Sequence, residues 1–172
     1  MKTLVVYYSL DGNTALVAAE LGRILGADLL ELKFAGGEKR TGPAKYIWGG
    51  KMVFSHEKPA LKPYTADLSA YDLVVLGGPV WAGSPSPALV SFLSETGMTG
   101  KKTAIFCCHG GGKGKALSKL RTLLAGNEIA GQADFRNPVR GGPETWESKA
   151  ADWANRLSPG TAGHPGTSSR AS

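Results

Sequence analysis

The sequence predicts an α/β fold: a three-layer, doubly wound, five-stranded parallel sheet. Three observations lead there. Short apolar runs of strand length alternate along the chain with amphipathic helical patterns. Two of the runs, Leu73-Val74-Val75-Leu76 and Thr103 to Cys108, are continuously apolar, as strands covered on both faces must be. Three strands run into turns rich in glycine and hydroxyl residues that lead to helical patterns, so they point the same way through right-handed crossovers. Such a sheet binds its ligands beyond the carboxyl ends of its strands, where strand order reverses.

Each element has a reason in the sequence. Leu4-Val5-Val6-Tyr7-Tyr8 reads as the first strand, followed by Leu16, Val17, Leu21, Ile24 and Leu25 at helical spacing, with Gly26 where a helix-terminating glycine belongs. A short second strand spans Leu29 to Leu32. The polar, glycine-rich passage from Phe34 to Pro43 reads as a loop. Residues Ala44 to Phe54 carry Tyr46, Ile47, Trp48, Met52 and Val53 around Gly49-Gly50, which suits a short interrupted helix over the sheet. Tyr46 and Trp48 fit core or lid packing, or the wall of a cleft. The prolines of Lys58 to Pro63 favour an extended segment.

Asp72 introduces the third strand, Leu73 to Leu76, which is expected to end in a long stiff loop from Gly77 to Pro87. Ala88, Leu89, Phe92 and Leu93 then follow at helical spacing, with Pro87 in the first turn. Trp81 has no periodicity to explain it in this loop, so it is a candidate for ligand contact; folding back onto the core is the other reading. The fourth strand, Thr103 to Cys108, meets the glycine loop His109 to Gly114 and a helix marked by Leu117, Leu120 and Leu124. A fifth strand spans Glu128 to Phe135. Trp146, Ala150, Trp153 and Leu157 form one face of a last helix, with Pro143 near its start and both tryptophans in the core. Ser158 to Ser172, without an apolar anchor, reads as a disordered tail, leaving one domain over residues 1–157.

Composition sets the boundaries. A chain of 172 residues with 42% hydrophobic content can bury one core without staples. No segment has the length of a membrane span, and Met1-Lys2-Thr3 leaves no room for a signal peptide before the first strand, so a cytoplasmic location is expected. Cys107 and Cys108 sit side by side in an apolar run, which suits buried thiols acting as small hydrophobes better than a redox pair. The net charge of +6 is dispersed, with Glu38-Lys39-Arg40 and Lys113-Gly114-Lys115 its densest places, so no nucleic-acid stripe is expected.

The informative stretch is Ser9-Leu10-Asp11-Gly12-Asn13-Thr14. A strand handed to a helix through a short turn leaves backbone N–H groups unpaired at the positive end of the helix dipole, and Ser9 and Thr14 add hydroxyls. A phosphate suits that place, although the same residues also suit simple helix capping. It is neither a Walker loop nor a Gly-x-Gly-x-x-Gly turn, since it lacks the Gly-Lys-Ser/Thr ending and has only Gly12. A response-regulator phosphoacceptor is also disfavoured, because Tyr7-Tyr8 and Gly77-Gly78 stand where carboxylates would be needed.

Three stretches together resemble the flavodoxin family: Tyr8-Ser9-Leu10-Asp11-Gly12-Asn13-Thr14, Asp72 through Gly83, and Cys107-Cys108-His109-Gly110-Gly111. The resemblance covers roughly residues 2 to 157 and implies the strand order 2-1-3-4-5 with tightly but non-covalently bound FMN. It implies that Ser9, Gly12, Asn13 and Thr14 hold the phosphate within the loop that also contains Leu10 and Asp11. Pro79, Val80, Trp81, Ala82 and Gly83 would run along the isoalloxazine, with Trp81 flanking or stacking on it. His109, Gly110 and Gly111 would border the other side, His109 as a polar rim residue.

No catalytic side chain and no metal are expected, since the flavin supplies the electron chemistry. The implied role is an electron carrier or oxidoreductase serving redox protein partners or a small acceptor, as monomer or homodimer; an NAD(P)H-dependent quinone or flavin reductase is the alternative. Three departures stand out. Asp11 puts an anion where many relatives carry a hydroxyl, residues 110–112 lack a stacking Tyr, and the chain is basic, which suits acidic partners.

Overall fold

Strand β1 (Thr3–Tyr7) is buried along most of its length and passes through the Ser9 to Gly12 turn into helix α1 (Asn13–Leu25). The computed structural model describes residues 1–36 and 58–158; the expected helix over 44–54, with Tyr46 and Trp48, and the tail after Ser158 lie outside them. Helix α1 ends as its sequence dictates. Gly26 takes a left-handed conformation, φ 58°, and Ala27 N–H returns to the Gly22 carbonyl at 2.9 Å.

The chain then adds β2 (Asp28–Glu31), β3 (Leu73–Trp81), β4 (Ser84–Pro85), α2 (Pro87–Thr96), β5 (Lys102–His109), α3 (Ala116–Leu123), β6 (Glu128–Arg136), α4 (Pro138–Gly141) and α5 (Glu147–Leu157). The sheet order is β2-β1-β3-β5-β6, all parallel, with the two-residue β4 antiparallel to the end of β3. Setting β4 aside, this is the expected 2-1-3-4-5 order. The extended segment after Lys58 runs antiparallel to the chain at Phe34, with Ala35 N–H on the Ala60 carbonyl and Lys62 N–H on the Lys33 carbonyl.

Side-chain alternation in the strands makes two cores from one sheet. Leu4, Val6, Val74, Leu76, Ile105 and Cys107 face the layer containing Leu89 and Phe92 of α2 and Leu117 and Leu120 of α3. Val5, Leu73, Val75, Ala104, Phe106 and Cys108 face Val17, Ala18 and Leu21 of α1 and Trp146, Ala150, Trp153 and Leu157 of α5. Trp146 and Trp153 are core residues, as expected. Among the described residues, no helix is long and apolar enough to cross a membrane.

Two expectations need correction. Strand β3 does not stop at Leu76 but continues through Gly77, Gly78, Pro79 and Val80 to Trp81, and a tight turn at Ala82-Gly83 brings β4 back against it. The glycines that suggested a loop are there for packing. A Cβ on Gly77 would run into the Phe106 ring, and one on Gly78 would stand 2.8 Å from Ser86 Oγ. The second correction is at the C-terminal end. Pro143 lies near the start of the last helix, as expected, but not within it: it begins a separate 3₁₀ turn (Pro143–Thr145), preceded by the unforeseen α4 and followed by α5.

The adjacent cysteines illustrate the alternation. Cys107 lies in one core and Cys108 in the other, so their side chains leave opposite faces of β5 and both remain free thiols. Burial pushes each thiol up to about 12. Both should therefore resist a thiol reagent at pH 8 in the native protein and react fully once it is unfolded, which a timed thiol titration with and without guanidinium checks.

Candidate functional site

At the carboxyl edge of the sheet, the ends of β1, β3, β5 and β6 frame a cleft of about 770 Å³. Of the residues singled out by sequence, Leu10, Asp11, Asn13, Thr14, Pro79, Val80, Trp81, Ala82, His109 and Gly110 line it. Ser9 and Gly12 belong to the turn that forms one wall without appearing on its surface. Gly83 belongs to the β3–β4 turn, where it packs against Gly114, and the exposed Gly111 lies outside the lining. The structure adds Cys108, Asn137, Val139 and Arg140.

The turn before α1 caps the helix and still has donors to spare. Ser9 Oγ accepts from Ala15 N–H at 3.1 Å, which leaves its own O–H available. Gly12 sits at φ 82°, and the backbone N–H groups of Gly12, Asn13 and Thr14 take no partner among the described residues. Thr14 is 1% exposed; its Oγ1 sits beside the Cys108 thiol but makes no hydrogen bond of adequate geometry. Capping and anion binding are thus compatible, because Ser9 serves the first through its lone pair and keeps its proton for the second. Asp11 lines the cleft as an exposed residue.

The opposite wall is rigid. Trp81 is 8% exposed and packs edge-on against Tyr8, with ring centroids 5.8 Å apart, and at 6.5 Å from Phe34, itself 5.0 Å from Tyr8. Strand β3 and this aromatic cluster account for its position, while part of it still lines the cleft. Ala82 turns the chain at φ 46°, a left-handed conformation that costs a non-glycine residue about 1 kcal/mol or more. Its neighbour Gly83 is pinned by Lys115 N–H on its carbonyl at 2.8 Å, and a Cβ on Gly114 would approach Gly83 Cα to 2.6 Å. Close backbone packing thereby holds the strained turn at the cleft.

His109 differs from the rim residue expected. Its side chain is only 9% exposed, and Nε2 lies 3.2 Å from Asp134 Oδ2. Donation of the Nε2 proton to this carboxylate leaves Nδ1, which is buried without a partner among the described residues, as an acceptor. Lys113 Nζ also donates to Asp134, at 3.0 Å, while Lys149 Nζ donates to its backbone carbonyl at 2.6 Å. Burial pushes the Asp134 carboxyl up, but Lys113, His109 and Lys149 more than offset it and hold it below its ordinary value.

Asn137, Val139 and Arg140 escaped the sequence reading because they follow the edge strand. The turn signal Asn137-Pro138 was visible, but its approach to residue 13 was not. Strand β6 ends at the far edge, whereas α5 packs beside α1, so the link between them must cross the mouth of the sheet. Val139 N–H donates to Asn13 Oδ1 at 3.0 Å, fastening that link to the turn before α1. Among the described residues, no group of His, Cys, Asp and Glu could hold a metal ion.

A helix start with unpaired donors and an aromatic-backed cleft lie together at the point of strand reversal of a doubly wound α/β fold, an arrangement whose donors are suited to an anion. Residues 2–131 match the family model described as Flavodoxin, and the chain belongs to the flavodoxin family. Among curated proteins, none matches it.

Solved structures establish the likeness of fold. A flavoprotein of Bacteroides eggerthii is 24% identical with TM-score 0.73, the match covering 91% of this chain and 97% of that one. A Lactobacillus acidophilus flavoprotein, solved in complex with FMN, is 23% identical with TM-score 0.70, covering 89% and 98%. Two-electron reduced flavodoxin of Megasphaera elsdenii is 20% identical with TM-score 0.55, covering 89% and 98%.

The Asp134 cluster has a measurable consequence. Because its folded carboxyl titrates below the ordinary 3.8, the stability it supplies is present above that value and is lost as pH falls through the folded one. Asp134→Asn should lower the urea midpoint at pH 7, and the difference from wild type should close as pH is taken below about 3.8, as read by urea titrations across pH.

Proposed function

We propose that this chain binds FMN non-covalently in the cleft and passes electrons through it, as a flavodoxin-like carrier between redox partners. The observation that carries the reading is the convergence on one cleft of unpaired donors at the start of α1 with the rigid wall of β3 and the loop after β5. The residues fit this cofactor. Free N–H groups, the Ser9 proton and the buried Thr14 hydroxyl form a donor set for a phosphate. The cleft of about 770 Å³ falls within the usual size of small-molecule sites. Support also comes from membership of the family and from the L. acidophilus flavoprotein solved with FMN.

FMN, when bound, supplies one- and two-electron transfer without a protein nucleophile. The chain's part is to hold and orient. Asn13, fixed by Val139, keeps the α1 turn open, while Trp81, Tyr8 and Phe34 supply a packed apolar backing that limits access of water. His109, held through Nε2 by Asp134, keeps an acceptor at Nδ1 beside the loop after β5. The basic balance, with Lys113 and Lys149 converging on Asp134 and Arg136 nearby, suits an acidic redox partner.

The second reading, an NAD(P)H-dependent quinone or flavin reductase on the same site, is favoured by one observation. Gly110, Gly111 and Gly112 are exposed and put no side chain over that wall, leaving room for a nicotinamide or a small acceptor.

Refolding with excess FMN followed by desalting should leave a yellow protein with near-stoichiometric flavin absorbance; colourless protein would sink both readings. Rapid mixing then separates them. Bleaching only through an added flavoprotein reductase is the expected result for the carrier, and direct bleaching by NADPH or NADH is the result for the reductase.

A further inference from the structure

We propose that Asn137 is a positioning residue for the ring side of the cleft: it holds the His109–Gly110 loop in place, as the bond between Val139 and Asn13 holds the turn before α1. The inference rests on the FMN reading and goes beyond it, for Asn137 lies outside the stretch matched by the family model, residues 2–131.

The loop needs an outside support. His109 and Gly110 line the cleft, and Gly111 and Gly112 after them are exposed. Glycines have no side chain to pack and lose the most conformational freedom on being ordered, so this wall cannot be fixed from within. It is fixed from the end of β6. Asn137 N–H donates to the His109 carbonyl at 3.0 Å, and Asn137 Nδ2 donates to the Gly110 carbonyl at 3.3 Å. Arg136 Nε reaches the same Gly110 carbonyl, also at 3.3 Å, but through a long side chain that loses more rotamer freedom than the short Asn137 amide. The approach is close: a Cβ on Gly110 would stand 3.3 Å from Asn137 Oδ1.

The backbone of Asn137 adds a second sign. It is left-handed, φ 44° and ψ 54°, and among the described residues Ala82 is the other non-glycine residue with a positive φ. Both line the cleft. Asn tolerates this conformation better than most side chains do. Here the chain leaves the line of β6 and turns across the mouth of the sheet. Gly141 N–H returns to the Asn137 carbonyl at 2.8 Å, and Val139 N–H reaches Asn13 Oδ1 at 3.0 Å. One short link therefore grips two walls, the loop after β5 through Asn137 and the α1 turn through Val139. With the phosphate on the donors of α1, the isoalloxazine falls to the wall that Asn137 holds.

Two variants separate the amide donor from the backbone turn. Asn137→Gly removes Nδ2 and adopts the left-handed conformation without strain, whereas Asn137→Ala removes the same donor and strains the turn. FMN dissociation constants are measured by flavin fluorescence for wild type and both variants, with inorganic phosphate as a competitor and with urea midpoints of the apoproteins alongside. Asn137→Gly and Asn137→Ala should both bind FMN about three- to tenfold more weakly, with the inhibition constant of inorganic phosphate unchanged, and Asn137→Ala should unfold at lower urea than Asn137→Gly. FMN affinity that stays at the wild-type value in Asn137→Gly would reduce Asn137 to a structural turn residue and overturn the assignment. Phosphate inhibition weakened by the same factor as FMN binding would overturn it too, since the effect would then lie at the α1 turn. If inorganic phosphate does not compete with FMN in wild type, the division of the cleft into a phosphate side and a ring side is overturned, and the assignment with it. Wild-type protein that takes up no FMN would instead overturn the FMN reading itself.

Discussion

Because β1 and β3 pair in parallel with Tyr7 opposite Gly77, β1 hands over to α1 alongside the stretch of β3 that runs on to Trp81. Every feature of the cleft follows from that register. It sets the start of α1 beside the end of β3, and the parallel pairing of β5, with Cys108 opposite Pro79, brings the His109 loop to the same edge. A slip of one residue would exchange the two side-chain faces of a strand and bury the wrong set in each core. Both faces are apolar here, so volume joins polarity in fixing the register: Gly77 faces Phe106 because no larger side chain fits there.

The cleft itself combines slack and rigidity in different walls. At the α1 end, hydrogen-bonding capacity is left unfilled around Thr14, a local cost in stability that a bound anion can offset. On the β3 side, Tyr8, Phe34 and Trp81 lock one another, and the strained Ala82 is held by backbone contact with the segment at Gly114 and Lys115. Aromatic pairs of this kind contribute about 0.5–1.5 kcal/mol beyond their buried area, comparable in size with the strain at Ala82. The wall is therefore preorganised rather than adaptable.

Most of the architecture was legible because it rests on local signals. Gly26 ends α1, Pro87 starts α2, and Leu117, Leu120 and Leu124 mark one face at α3, each for a reason visible within a few residues. The site was legible where it sits in turns next to strands, as at Leu10 to Thr14 and at His109 and Gly110. It was misread where a glycine served packing: Gly77 and Gly78 hid the continuation of β3, and with it the strand position of Trp81. His109 looked like a rim residue because Asp134, on the next strand, is invisible to any local window. Asn137, Val139 and Arg140 depend on α5 returning beside α1, a fact of tertiary packing with no local signature.

The bond between Val139 and Asn13 joins residues 126 positions apart. Its two halves are therefore made far apart in synthesis: the turn before α1 emerges well ahead of its fastening. Until β6 has paired and α5 has docked, nothing ties the link to that turn, and the entropy of closing so long a loop opposes the contact. The cleft is thus a late product of folding, whose completion reports that the whole sheet, out to its far edge, has assembled.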